Sequence, residues 1–433
     1  MKIMPLRLCA VAPLCLFVNF VSSKKYMRLI YNIGILIYEA LVRILSPFNT
    51  KARLWINGRK NWYDILRQKV DPESKYIWMH CASLGEFEQG RPLIEAIKGN
   101  MSQYKIVLTF FSPSGYEIRK NYQQADIICY LPYDTPHNAE KFINLIKPVK
   151  VIFVKYEFWY NFISVLGRKN IPLYLISGIF RKKQYFFKWY GSFFRQTLKN
   201  FTTFYVQDQQ SADLLKGIGL DNATVAGDTR FDRVRQIADN AKNIPQLEQF
   251  RNGKKLFLAG SSWKKDEEII AQYINKYPDR MKWIFAPHEI DRENIDRLCK
   301  LFRVKCVRFS EFKEELCDAK VLIIDNIGML SSAYRYAYIA AVGGGFGKGI
   351  HNILEAACWG IPVLFGPNHL KFREAVEMKK AGSAKSFTEF EEFETILNGW
   401  LTDDALYKKA AENAGKYIRE NTGATHKIMK GIT

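Results

Sequence analysis

Tyr76-Ile77-Trp78-Met79-His80-Cys81-Ala82-Ser83-Leu84-Gly85-Glu86 runs from an apolar stretch straight into a helix-start signal. Residues 76–81 have the length and composition of a buried strand, and the S-x-x-E spacing of Ser83 and Glu86 is that of a capping box. The same alternation extends outward. Candidate strands fall at 105–111, 127–131, 149–155, 173–176 and 203–207, each followed by a helix signal such as Asp134-Thr135-Pro136. It restarts at 255–259 and continues through 283–286, 321–324, 338–342 and 362–365. Strands alternating with helices imply parallel sheets covered on both faces. The predicted fold class is α/β, with two Rossmann-like doubly wound domains facing a cleft, where ligands of such folds bind. The expected N-terminal domain is 51–240 and the expected C-terminal domain 250–433. The stretch 236–253, rich in Asp, Asn, Lys and Gln with Pro245 and Gly253, is the expected linker.

Composition narrows the function classes. The 433 residues are 48% hydrophobic and 25% charged, which fits globular domains and excludes a disordered chain. Lys plus Arg number 64 against 43 Asp plus Glu, a net charge of +21 that calls for an anionic partner. Nucleic acid, an anionic membrane and a phosphorylated substrate all satisfy that charge. The eight cysteines include no C-x-x-C pair, and the six histidines include no H-E-x-x-H, so no metal site is indicated.

The N-terminus holds two apolar runs. Residues 8–21, behind Lys2 and Arg7, read as a signal-peptide-like segment too short to span a bilayer. The second starts at Met27 and is interrupted by Glu39 and Arg43, which lie four apart and pair on one helical face. Arg53, Arg59, Lys60 and Arg67 follow as a basic collar suited to an anionic cytoplasmic leaflet. Residues 27–50 are therefore the expected membrane anchor, spanning or interfacial. Translation is expected to start at Met27, with 1–26 an upstream extension.

Four segments could carry chemistry. Glu86 follows the strand at 76–81; it either caps the helix or accepts a proton from a substrate hydroxyl. Glu157, in Lys155-Tyr156-Glu157-Phe158-Trp159, follows another apolar strand, either as a cap or ion pair or as a site acid. Gly260-Ser261-Ser262-Trp263 is a small-residue turn ahead of a helix, which suits an anion, and His288 follows the next strand. Gly343-Gly344-Gly345-Phe346-Gly347 permits close backbone approach to a phosphate. His351, Asn352 and Glu355 follow at a spacing that places them on one helical face, with Glu355 suited to ribose hydroxyls. This is not a G-x-G-x-x-G fingerprint, so a classical dinucleotide enzyme is disfavoured.

In order, these segments resemble the Kdo (3-deoxy-D-manno-octulosonic acid) transferase family of GT-B-type glycosyltransferases. The resemblance rests on W-M-H-C-A-S-L-G-E at 78–86, Y-L-P-Y-D at 130–134, Glu157-Phe158-Trp159 and A-G-D-T-R-F-D at 226–232. It continues with P-H-E at 287–289, G-G-G-F at 343–346, H-N-I-L-E at 351–355 and V-L-F-G-P-N at 363–368. It implies inverting transfer of Kdo from CMP-Kdo to a lipid A precursor, lipid IVA, in lipopolysaccharide biosynthesis. No cofactor, metal or nucleic-acid partner is expected, and the oligomeric state is open. The N-terminal domain would hold the acceptor and the C-terminal domain the donor, on the cytoplasmic face of the inner membrane. The family's base falls on Glu86, and its acid before Trp on Glu157. Donor nucleotide contacts fall on Ser261, Ser262, His288, Gly344, Gly345, Asn352 and Glu355. Arg230 stands where the family more often has Lys; a guanidinium there could pair bidentately with the Kdo carboxylate or the leaving phosphate. Two departures affect the donor site: Ser177-Gly178-Ile179 replaces the family's N-A-R, with Arg181 nearby, and Ala286-Pro287-His288 replaces its P-R-H. The alternatives are a UDP-sugar 2-epimerase of the same fold and a non-enzymatic basic protein bound to membrane or nucleic acid.

Overall fold

The structure, a computed structural model, describes residues 24–433. The apolar run at 8–21 and most of the expected extension at 1–26 lie outside the described residues. The chain forms two compact units. One takes in the chain up to Thr229 together with Gly423–Thr433; the other is Arg230–Thr422.

The first unit holds β1 (Lys75–Cys81), β2 (Tyr104–Phe110), β3 (Ile127–Tyr130), β4 (Pro148–Val154), β5 (Leu173–Gly178), β6 (Thr203–Val206) and β7 (Ala223–Val225). They form one sheet in the order β3-β2-β1-β4-β5-β6-β7, with every pair parallel. Parallel neighbours need crossovers, so helices cover both faces and the strands become buried apolar runs. Six of the seven β1 residues are buried. The chain leaves β1 in one direction for β2 and β3, then returns to the other side of β1 as β4. The carboxyl ends of β1 and β4 therefore meet at the topological switch point, where such sheets bind ligands. The last helix, Ala424–Ile432, completes this unit by burying Ile428 and Ile432 in its core, and Lys150 Nζ binds the Ile432 carbonyl.

The second unit holds β8 (Leu256–Ser262), β9 (Lys282–Pro287), β10 (Cys306–Arg308), β11 (Val321–Ile323), β12 (Ile339–Val342), β13 (Val363–Phe365) and β14 (Ala384–Ser386). Their order is β10-β11-β9-β8-β12-β13-β14, again all parallel. Here the switch point lies between β8 and β12. Within 236–253, the helix Pro245–Arg251 buries Leu247 and Phe250, and the Ile244 amide donates to the Tyr336 hydroxyl at 2.6 Å. Those contacts give an otherwise polar stretch a fixed place on this unit.

The described part of the N-terminus is the helix Lys24–Leu45, fastened to the first unit by hydrogen bonds and by the packing of Tyr38 on Trp55 and Phe111. The Tyr31 hydroxyl donates to Asp134 Oδ2 at 2.6 Å, and Asn161 Nδ2 donates to Asn32 Oδ1 at 2.9 Å. Asp134 is buried and also accepts from the Asn161 and Phe162 amides, which close the start of the helix after β4. Leu29, Ile30, Ile33, Leu36, Ile37, Leu41 and Ile44 point away from the protein and are exposed. Among the described residues no helix is long and apolar enough to cross a membrane.

Candidate active site

At the first unit's switch point, Ser83 caps the helix Leu84–Asn100, and its amide donates to Glu86 Oε2 at 3.1 Å. The capping box read from the spacing is thus formed, and it leaves Glu86 half-buried at the end of β1. Capping and acid–base roles are compatible: a cap fixes the carboxylate in place without removing its capacity to take a proton. Burial, and then the negative charge of Glu157, raise the Glu86 carboxyl to about 7, against the pull of the Ala82 and Ser83 amides and Lys155. A carboxyl at that value can exchange protons near neutral pH.

Glu157 follows β4 and is buried. Its Oε2 accepts from Trp159 Nε1 at 2.6 Å and lies 3.1 Å from His80 Nε2. On the other side of the ring, His80 Nδ1 lies 2.8 Å from Thr109 Oγ1, which accepts from Trp78 Nε1 at 2.8 Å. His80 Nδ1 also lies 3.2 Å from the Thr109 carbonyl, and His80 Nε2 lies 3.2 Å from Trp159 Nε1, so each ring nitrogen faces more than one partner. His80, fully buried, and Trp159 thus hold Glu157 in place. Lys155, between β4 and Glu157, adopts a left-handed φ of 69°, a strained conformation for a non-glycine residue. His80 is in the W-M-H-C sequence, but its alternation reads simply as core; the carboxylate opposite it comes from a strand 77 residues away in sequence.

The second unit's switch point gathers Ser261, Ser262 and Gly344. A cavity of about 720 Å³, large enough for a nucleotide-sized ligand, is lined by these last two with Trp263, Lys265, Lys348 and His351. The rings of Trp263 and His288 stack at 4.6 Å, as do those of His288 and His351. Trp263 Nε1 donates to His351 Nε2 at 3.0 Å, which requires a lone pair there. Burial, and then the neighbouring His288, lower the His351 ring below its ordinary value, in accord with a neutral imidazole.

The structure changes the physical reading of several expected donor contacts. The Ser262 hydroxyl donates to buried Glu267 at 2.9 Å, so it can offer a ligand only a lone pair. The Gly344 amide donates to Asp266 Oδ2 at 3.3 Å, and Asp266 also accepts from the Trp263 amide at 3.0 Å. One buried carboxylate therefore ties the loop after β8 to the loop after β12; burial raises it to about 6. The glycine run is demanded by loop packing: a Cβ on Gly343 would lie 2.2 Å from the Ser261 carbonyl, and one on Gly345 2.6 Å from Gly366. The helix expected directly after the glycines starts only at Leu354 and ends at Ala357. His351 and Asn352 precede it, so the shared helical face with Glu355 does not form. Instead Asn352 Oδ1 accepts from the Leu354 amide, and Asn352 Nδ2 donates to Glu355 Oε1 at 3.0 Å. Ser331 Oγ donates to the other Glu355 oxygen. Arg230 is ion-paired with Glu374 at 2.9 Å. Trp263, Asp266 and Glu267 were not singled out from sequence, although Trp263 and Asp266 show the N-cap to N3 spacing of a capping box.

Residues 56–233 match the family model of 3-deoxy-D-manno-octulosonic-acid transferase (kdotransferase). The chain is 29% identical over 357 residues to the 3-deoxy-D-manno-octulosonic acid transferase of Aquifex aeolicus, covering 79% of this chain and 92% of that relative. To the Rickettsia felis transferase of the same description it is 25% identical over 421 residues, covering 94% and 90%. Among solved structures, UDP-GlcNAc 2-epimerase from Neisseria meningitidis bound to UDP-GlcNAc superposes with a TM-score of 0.57 at 17% identity. That match covers 80% of this chain and 99% of the epimerase, a likeness of fold. Residues 56–233 thus carry a domain of the 3-deoxy-D-manno-octulosonic-acid transferase family, and the chain, with two parallel seven-stranded sheets of the GT-B type, is similar over most of its length to glycosyltransferases of that description.

Proposed function

We propose that the chain transfers Kdo from CMP-Kdo to a hydroxyl of a lipid A precursor, lipid IVA, in lipopolysaccharide biosynthesis. The observation that carries the reading is Glu86: a half-buried carboxylate at the first switch point, raised to about 7 beside Glu157. The substrates come from the family and from the names its relatives bear. In the proposed step Glu86 takes the acceptor hydroxyl's proton as the oxygen attacks the anomeric carbon. The bond to the CMP phosphate oxygen breaks with inversion, and that oxygen leaves with the bonding electrons. The cavity lined by Trp263 and His351, with Lys264, Lys265 and Lys348 around it, is the proposed donor site; the lysines offset the charge of the leaving monophosphate. Arg230 would exchange Glu374 for an anionic group of the donor.

The proposed location is the cytoplasmic face of the inner membrane, with the helix Lys24–Leu45 lying in the interface. Its outward apolar row and neighbouring Lys25, Arg28, Lys51 and Arg53 suit an anionic surface. The test incubates the purified full-length chain with CMP-Kdo and tetraacylated lipid A precursor, and reads the lipid by mass spectrometry. A gain of one Kdo unit that requires Glu86 supports the reading. Hydrolysis of CMP-Kdo without a lipid product, or epimerisation of UDP-GlcNAc, would overturn it.

A further inference from the structure

Cys299 ends the helix Arg292–Cys299, and Cys306 begins the edge strand β10. Their sulfurs lie 3.5 Å apart, and both residues are half-buried and reduced. We propose that Cys299 and Cys306 are a redox-active dithiol, a modification site that closes to an intramolecular disulfide on reaction with a low-molecular-weight disulfide.

Three observations support this site over the other cysteines. The first is proximity: closure to the ~2.0 Å of a disulfide needs a movement of about 1.5 Å, within reach of a helix end and a three-residue edge strand. The second is polarity. A hydrogen bond from Cys306, with Arg308 close by, lowers the Cys299 thiol to about 7 although burial opposes it. Burial raises Cys129 and Cys358 to about 12 and Cys81 well above its ordinary value; Cys306 is raised as well, first by donating its proton to Cys299 and then by burial, so Cys299 is the attacking thiol. The third is the setting. Arg308 also binds Asp296, one turn before Cys299, so the sulfurs sit beside a polar, partly exposed cluster.

The chemistry balances as two exchanges. The Cys299 thiolate attacks one sulfur of the small disulfide and expels the other as a thiolate, leaving a mixed disulfide on Cys299. Cys306, losing its proton, then attacks Cys299 Sγ and expels the second small thiolate. Two protein thiols are oxidised and one small-molecule disulfide is reduced to two thiols, which take up the released protons. Closure would pull on a helix that also serves the second-unit cavity: Asn294 lines it, and Arg297 binds Glu267, which holds the Ser262 hydroxyl.

Oxidised glutathione tests the proposal on the full chain, followed by acid quench, thiol alkylation and tryptic digestion. The expected product is residues 298–300 (Leu-Cys-Lys) joined to 306–308 (Cys-Val-Arg), two hydrogens lighter than the separate peptides. Cys306→Ser should trap glutathione on Cys299, and Cys299→Ser should leave Cys306 at least about tenfold slower to be modified. Wild-type protein in which both thiols remain alkylatable while another cysteine is oxidised would overturn the proposal. So would equal glutathione capture by the two single variants. The wild-type peptide map decides the pairing even if a variant folds poorly.

Discussion

Glu86 and Glu157 make the sharpest claims at the level of single residues. A base that titrates near 7 should give activity that rises about tenfold per pH unit below 7 and levels off above it. Glu86→Gln should lower kcat by at least about 100-fold while changing KM little, because the amide cannot take a proton. Glu157→Gln removes the neighbouring charge, so the acidic limb of the rate profile should move down by roughly one pH unit. Initial rates from pH 5 to 9 read both effects; an unmoved limb in Glu157→Gln would show that the two carboxylates do not interact. Stability should move the other way from activity. The folded value of Glu86 lies above its ordinary 4.5, so the folded unit holds the proton more tightly than the unfolded chain. Its contribution therefore falls as pH rises from about 4.5 to about 7, and Glu86→Gln should melt higher than wild type at pH 8 but not at pH 4. The roles of Glu86 and Glu157 could be raised from sequence because an acid at the end of an apolar strand stands out. His80 and Asp266 could not, because each acts through a partner that only the folded chain brings near.

Whole elements were read from sequence where they were long and buried. All eleven expected strands occur, with ends shifted by at most three residues. The three unforeseen strands, β7, β10 and β14, are all three-residue strands at sheet edges. An edge strand has one neighbour and partial exposure, so its sequence carries no apolar run to detect. The brief helix at Leu354–Ala357 fails for a related reason: the glycine run packs against neighbouring loops, and Asn352 rather than His351 starts the turn. At this scale the helix Lys24–Leu45 offers a test. Its attachment includes the hydrogen bond from Tyr31 to the buried Asp134, beside the Asn161–Asn32 bond and the packing of Tyr38 on Trp55 and Phe111, and bonds to charged groups contribute about 1.5–3 kcal/mol. Burial also raises Asp134 to about 6, so the bond is strongest above that value, where the carboxylate is ionised. Tyr31→Phe should therefore speed hydrogen exchange of amides 27–45 by roughly 10-fold or more at pH 7.5. Exchange unchanged in Tyr31→Phe would mean that other contacts hold the helix.

For the molecule as a whole, the proposed attachment to an anionic bilayer surface rests on the net charge of +21 and the outward apolar row. In an ordinary surface helix the apolar side faces the core. In Lys24–Leu45 the half-buried side carries the polar Tyr31, Asn32 and Glu39 among Met27, Ile35 and Val42, while Leu36 and Ile37 are more than half exposed. Such a helix exposed to water loses the stabilisation of apolar burial, about 1.5–3 kcal/mol for each fully buried Leu or Ile. A bilayer interface restores it, and anionic headgroups add attraction to the nearby Lys and Arg. The two contributions separate by salt, since raising ionic strength from 0.1 to 1 M shortens the screening length from about 10 to about 3 Å. The chain should co-sediment with vesicles containing anionic lipid, lose part of that binding in 1 M salt, and bind neutral vesicles more weakly. The double substitution Leu36→Glu and Ile37→Glu should reduce partitioning by at least about 100-fold at either salt concentration. Wild-type binding abolished by salt alone would make the attraction purely electrostatic. Undiminished binding by the double variant would remove this helix as the attachment point.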